Sequence, residues 1–390
     1  MNGEVHNMKH LVIFTTIFDD WGGSEELWAR AIPYWQQAGH RVTVVKDKIN
    51  RKHPQYVALA QSGVQLVDFS SWSDKIYRLM FLILKPFEAK FPVLRKWLPQ
   101  LHELYARKIA QVQPHMVVVA QGINFDGLLV ADALRRRQLP YMVIAQKAVE
   151  FYWPYRVFRA DMRLALQQAR MNYFVSQHNR QLTEEQFAVA LPNAQVVFNP
   201  VKTGTRVLPF PTTSPVWRLA CVGRLFLQDK GQDILLRILS QDKWRSRPIE
   251  VDFIGSGVDE EGLKELAAFL NVQQVRFIGF QSDIEQLWSQ YHALVLPSRA
   301  EGMPLAVMEA MGLGRTVIVS KAGGNAELVT DGVNGFIGEC SFDDFDATME
   351  RAWQARDRWH SLGEAAVQTI RDRVPAVPEA TFAQHVLDSL

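Results

Sequence analysis

Glu301 and Glu309 are separated by seven residues within Glu301-Gly-Met-Pro-Leu-Ala-Val-Met-Glu309, which follows the apolar run Ala293–Leu296. Gly302 bends the backbone, and Pro304 is placed to start a helix at the position where proline forfeits no hydrogen bond. The unpaired N–H groups of such a helix start attract an anion, a diphosphate among others. Glu301 belongs to the loop and Glu309 lies more than a turn inside the helix, so the two acids can reach opposite ends of one bound molecule. Carboxylates are poor partners for phosphate and good acceptors for hydroxyls. A ligand with a phosphate centre and a sugar at each end, a nucleotide sugar, meets these demands.

A second set of residues suits the same ligand. Gly223-Arg224 closes the apolar run Leu219–Val222, and Lys230-Gly231 precedes a helix expected near Asp233. Groups at the C-terminal end of a parallel strand face the ligand crevice. Arg224 and Lys230, six positions apart, can therefore both reach a diphosphate. Trp21-Gly22-Gly23-Ser24 follows the first apolar run of the chain, where paired glycines let backbone N–H groups approach a ligand. Ser24 is expected to cap the helix that follows, which Glu25 and Glu26 suit and which Pro33 should kink.

The chain resembles the retaining glycosyltransferases of family 4, whose signature is this pair of glutamates in the second of two Rossmann-like domains. The resemblance implies the α/β GT-B fold: two doubly wound parallel-sheet domains facing a cleft, with a C-terminal helix returning to the first. It implies that Arg224, Lys230 and Glu301 are catalytic, the two cations stabilising the leaving diphosphate. Gly23, Gly223, Gly302, Met303, Pro304, Leu305 and Glu309 would bind the donor. Gly255-Ser256-Gly257 and Gly279-Phe280 resemble loops bordering the nucleotide base, and Gly323-Gly324 resembles a structural element. No catalytic metal and no cofactor are implied, since Arg224, Lys230 and a helix end can act as a cation does elsewhere. Asp343-Asp344 reads as helix capping rather than a metal motif.

One position departs from the family. Many members place a histidine after the fifth strand of the first domain, and here Ala145-Gln146-Lys147 stands there. Glutamine can hydrogen-bond a sugar hydroxyl but cannot act as a base. Gln146, Lys147, Asp126 and Glu150 are the acceptor-side candidates, with His178 a nearby alternative. A GT-B sugar-nucleotide epimerase and an inactive nucleotide-sugar-binding scaffold are the competing readings.

These residues need two sets of strands to hold them. At 390 residues the chain exceeds the size at which one core keeps growing. Short apolar runs recur at 11–16, 41–45, 65–69, 115–120, 141–145 and 173–176, and again at 219–222, 251–254, 275–278, 293–296, 316–319 and 335–337. Continuous apolar runs alternating with helical stretches predict parallel sheets covered on both faces. The boundary is placed at Phe198-Asn-Pro-Val201, giving an acceptor-binding domain over 1–199, a donor-binding domain over 200–375 and a crossing helix over 376–390.

With 48% hydrophobic and 22% charged residues, the composition is that of a soluble globular protein. No apolar run is long enough to span a bilayer, and the N-terminus lacks an apolar signal core. Cys221 and Cys340 make no disulfide framework and suit a reducing cytoplasm. Residues 1–200 hold 24 Lys+Arg against 16 Asp+Glu, leaving 19 against 25 in the remainder. Within the basic half, residues 74–108 carry eight Lys+Arg against three Asp+Glu, mixed with aromatics. That mixture suits an anionic membrane surface and a peripheral position on its inner face, which favours an acceptor on a lipid carrier among the glycan, lipid-linked or other hydroxyl acceptors that the resemblance implies. No motif for nucleic acid is present.

Overall fold

The computed structural model describes residues 8–69, 100–201, 206–211 and 215–390. The basic aromatic stretch of residues 74–108 lies outside the described residues up to position 99; Gln100 is the N-cap of the helix Leu101–Gln111, to which the rest belongs. The chain forms two compact units. One comprises residues 1–175, 179–199 and 377–390, and the other 176–178 and 200–376.

Among the described residues, the first unit is built on seven parallel strands: β1 (His10–Thr15), β2 (Arg41–Lys46), β3 (Gln65–Asp68), β4 (Met116–Gln121), β5 (Tyr141–Ala145), β6 (Asn172–Phe174) and β7 (Ala194–Val196). Their order is β3-β2-β1-β4-β5-β6-β7. The strand period of two divides their side chains between two cores. Leu11, Ile13, Val42, Val44, Val118 and Ile144 pack on one face against the helices Glu26–Gln37 and Pro54–Gln61. Val12, Phe14, Val117, Val119 and Val143 pack on the other against the helices Leu128–Arg136 and Arg159–Gln168. β-branched residues suit such doubly covered strands. The C-terminal helix Pro378–Leu387 completes the first of these cores with Phe382, Ala383 and Val386, and Trp35 Nε1 donates to Ala383 O at 3.1 Å. The helix therefore returns to the first unit, as the resemblance implies.

The second unit has six parallel strands among the described residues: β8 (Trp217–Val222), β9 (Ile249–Ile254), β10 (Val275–Phe277), β11 (Ala293–Leu296), β12 (Thr316–Ser320) and β13 (Phe336–Gly338). Their order is β10-β9-β8-β11-β12-β13. Strand order reverses direction between β1 and β4 in one sheet and between β8 and β11 in the other. At such a switch point the loops leaving the strand C-termini part and leave room for a ligand.

Several local expectations need correction. Pro304 is the N-cap of the helix Leu305–Gly312, with extended backbone at φ −72° and ψ 118°, rather than its first residue. Ser24 does not cap the helix Glu26–Gln37; residues Gly23–Glu25 form a 3-10 turn ahead of it, and the Ser24 hydroxyl turns to Glu25 Oε2 at 3.2 Å. Ser341 caps the helix Phe342–Gln354, its Oγ accepting from Asp344 N at 3.3 Å, so Asp343 and Asp344 are first-turn acids rather than caps.

Candidate functional site

At the switch point of the second unit, the loop after β8 meets the loop after β11. Lys230 ends the short helix Leu227–Lys230, and its Nζ lies 2.6 Å from Glu301 Oε1. Ser298 Oγ donates to that same oxygen at 2.6 Å. Glu301 is 5% exposed, and both bonds fall on one carboxylate oxygen. The Lys230 stem runs across Gly223, where a Cβ would sit 3.5 Å from Lys230 Cε. Arg224 is held more loosely: its guanidinium reaches Asp229 Oδ2 at 3.4 Å while 56% of the side chain stays exposed. Gln232 Nε2 fixes the Arg224 carbonyl at 2.8 Å.

The two loops are joined through their backbones. Asp229 O accepts from Arg299 N at 2.7 Å and from Ala300 N at 3.0 Å. Arg299 also forks onto Asp233, with Nη1–Oδ1 at 2.7 Å and Nη2–Oδ2 at 2.9 Å, which holds the Asp233 carboxyl below its ordinary range despite burial. Gly231 makes the approach feasible. Its φ is +62°, and a Cβ there would stand 2.1 Å from the Pro297 carbonyl oxygen.

A third loop supports the second. Gly324 N donates to Gly302 O at 2.7 Å, and a Cβ on Gly323 (φ +53°) would lie 2.3 Å from Glu301 O. The Gly323-Gly324 pair thus packs against the backbone that presents Glu301. Beyond it the chain enters the helix Leu305–Gly312 after Met303 and Pro304. Leu305 N and Ala306 N, the first two of the helix, have no carbonyl one turn earlier and point out of the helix start, whereas Val307 N and Met308 N already bond Pro304 O at 3.2 Å. Glu309 is buried inside that helix.

The first unit assembles its own set at the ends of β1, β4 and β5. Gly23 lies in the 3-10 turn after β1. Gln146, buried at the end of β5, donates Nε2 to Ser24 O at 3.1 Å and accepts from Asn199 Nδ2 at 2.7 Å. Both ends of its amide therefore bind protein, which fits a brace between the β1 turn and the chain's exit at Asn199. Asp126 accepts from Ile123 N at 3.3 Å, and burial pushes its carboxyl up to about 6 against the pull of that bond and of Lys147. Lys147 is half-buried and Glu150 exposed.

Sequence reasoning missed three contributors. Ser298 and Asp229 shape the second-unit site although neither stands in a quoted motif. Glu25 reads from the sequence as a helix-start acid, yet it is 1% exposed, accepts Thr15 Oγ1 at 2.7 Å, and is pushed by burial up to about 7. Thr15 and Lys46 end neighbouring strands. Lys46 Nζ donates to the carbonyls of Asp19 at 2.5 Å and Asp20 at 3.0 Å, so it holds the turn that contains the glycines.

Residues 210–369 match the family described as glycosyl transferases group 1. A lipopolysaccharide 1,6-galactosyltransferase of Escherichia coli is 32% identical over 162 residues, covering 38% of this chain and 43% of that protein. An N,N'-diacetylbacillosaminyl-diphospho-undecaprenol alpha-1,3-N-acetylgalactosaminyltransferase of Campylobacter jejuni is 35% identical over 79 residues, 20% of this chain and 21% of that protein. Such matches span between 21% and 43% of these relatives' own lengths. Anabaena HepE, solved in complex with UDP, aligns over 98% of this chain and 100% of its own with a TM-score of 0.73 at 17% identity. The fold is GT-B.

Proposed function

We propose that the chain is a glycosyltransferase that moves a sugar from a nucleotide sugar to a hydroxyl of a glycan or lipid-linked acceptor, with retention of anomeric configuration. The observation that carries the reading is the meeting of Lys230 and Glu301 at the β8–β11 switch point, beside Arg224 and an open helix start. Lys230 and Arg224 would take the diphosphate together with N–H groups of the Gly302–Leu305 stretch. Met303 and Pro304 shape that stretch, and the Lys230 stem lies over Gly223. Glu301, with one oxygen tied to lysine and serine, would use the other for a hydroxyl of the transferred sugar. Glu309 would hold the ribose.

In this reading, as the glycosidic bond to the diphosphate breaks, negative charge grows on the departing phosphate, where two cations and fixed dipoles already point. The leaving phosphate would itself take the acceptor proton on the same face of the sugar, so Gln146 need not be a base. Asp126, Lys147 and Glu150 would orient the acceptor. No metal enters the scheme. The acceptor class is supported by the relatives whose names specify lipopolysaccharide and undecaprenol-linked sugars, and a UDP donor by the ligand of the HepE structure.

A thermal-shift screen against UDP, GDP, ADP and CMP sugars identifies the donor, because a ligand that binds the folded state raises its melting temperature. Transfer to an acceptor panel follows, with the product anomer assigned by NMR and the rate compared with and without EDTA. A product of inverted configuration, conversion of donor without acceptor, or binding without turnover would each replace this reading.

A further inference from the structure

The loop after β5 turns large apolar side chains outward. Phe151, Trp153, Tyr155 and Val157 are 52%, 63%, 75% and 65% exposed. Their backbone is nonetheless fixed. Gln186, fully buried, donates Nε2 to Val149 O at 2.9 Å and to Tyr152 O at 2.7 Å. Arg159 reaches back to Gln186 O at 3.0 Å, and Asn124 Oδ1 receives Val149 N at 2.6 Å. Pro154 is buried between the exposed rings. Side chains left open on an anchored backbone form a standing surface.

The helix Arg159–Gln168 extends that surface. It buries Met162, Ala165 and Leu166. Its Ala160 and Leu164 are exposed and fall three and seven positions after Val157, on one line along the opposite side. Cations surround the stripe. Residues 147–170 contain Lys147, Arg156, Arg159, Arg163 and Arg170 against Glu150 and Asp161, a net of +3. Among the described residues, no carboxylate pairs with any of these four arginines. Exposed apolar side chains grouped in this way mark a docking site.

We propose that this surface docks on an anionic lipid bilayer, with Trp153 and Tyr155 entering the headgroup layer and the arginines facing lipid phosphates. Amphipathic rings prefer that layer, and arginines without a carboxylate partner (Arg156, Arg163 and Arg170) complement its negative potential. The inference rests on the first unit alone, and its test needs no transfer activity.

Flotation of the full chain with phosphatidylcholine vesicles containing phosphatidylglycerol tests it, with pure phosphatidylcholine as the reference. Wild type is expected to float with the anionic vesicles. Trp153→Ser with Tyr155→Ser should lower the bound fraction about tenfold or more, since the buried apolar area is lost. Arg156→Glu with Arg163→Glu, a second and independent variant, should release the protein at low salt. Melting temperatures should stay at the wild-type value in both. Wild type that stays with the aqueous phase overturns the proposal, as does equal flotation of the serine variant. Loss of binding only when Lys85, Lys90, Arg95 and Lys96 are reversed would move the contact elsewhere and overturn it too. Self-association that the serine variant abolishes, without vesicle binding, would assign the surface to a protein partner instead.

Discussion

Lys230 Nζ and Glu301 Oε1 lie 2.6 Å apart although 71 residues separate them in the chain. Each group thus arrives at the site already neutralised by the other. A lone ammonium would be hydrated and mobile, and a lone buried carboxylate would be driven toward its protonated form. Paired, the two groups are held at the switch point, and an incoming diphosphate has only to share the ammonium.

The pairing makes the two positions energetically dependent. Lys230→Ala leaves a buried carboxylate without its counter-ion, and Glu301→Ala leaves an ammonium over Gly223. Each single variant should be destabilised, while the double variant should lose less than the sum, with a coupling of roughly 0.5–3 kcal/mol. Urea denaturation of the four proteins measures it, and strictly additive losses would show that the pair is an incidental surface contact.

Arg224 should behave differently. With 56% of its side chain exposed and its guanidinium 3.4 Å from Asp229 Oδ2, it contributes little to the fold. Arg224→Ala should keep the wild-type melting temperature yet slow transfer by on the order of 100-fold, the usual cost of removing one preorganised charge from a transition state. An unchanged turnover would mean that the phosphate lies elsewhere.

The two glutamates should separate in a binding experiment. Glu309→Ala should weaken the free nucleoside diphosphate and the whole donor alike. Glu301→Ala should spare the diphosphate and impair the donor. Calorimetry with both ligands reads the difference, and the reverse pattern would exchange the roles.

Much of this was legible in the chain. All twelve apolar runs became strands, because parallel strands covered on both faces must be apolar throughout. β7 escaped notice, since Ala194–Val196 is three half-buried residues without an apolar run. The apolar run Ala293–Leu296 followed by Gly302 and Pro304 announced a strand, a turn and a helix. Nothing local announced Lys230 beside Glu301, which requires β8 and β11 to be neighbours with β9 and β10 set aside. Gln146 was visible as a residue out of family, but its bonds to Ser24 and Asn199 depend on the fold. The burial of Glu25 was likewise hidden, because a carboxylate at a helix start is ordinarily solvated and helped by the helix dipole.

Gly231 offers a test of how closely the loops must pack. An alanine there would have to keep the disfavoured φ of +62° and bring its methyl group to 2.1 Å from the Pro297 carbonyl oxygen. Gly231→Ala should therefore cost about 1–3 kcal/mol or more in stability. It should also separate Lys230 from Glu301, lowering donor affinity further than Gly279→Ala, where φ is also positive but no atom lies within 4 Å. Equal effects at both glycines would assign the cost to backbone conformation alone.

Glu25 gives the protein a dependence on pH whose sign is fixed by burial. Its carboxyl rises from an ordinary 4.5 to about 7, chiefly because it is desolvated, with Thr15, Lys46 and Ser24 pulling the other way. Between those two values the folded protein keeps a proton that the unfolded chain releases. Stability from this group is therefore complete below about pH 4.5, declines as pH rises toward 7, and is flat above it. Asp126, raised from 3.8 to about 6, adds a decline of the same sign. Glu25→Gln stays neutral and keeps an oxygen for Thr15, so the stability of the variant minus that of wild type cancels Asp126 and isolates Glu25. That difference should move in favour of the variant by roughly 1–3 kcal/mol between pH 4.5 and 7.5, at about 1.4 kcal/mol for each pH interval of one between the folded and unfolded values. Urea titrations at several pH values across this range measure it. A difference that stays constant would mean that Glu25 titrates in the folded protein as it does in the unfolded chain, and that Thr15 and Lys46 hold it as a carboxylate throughout.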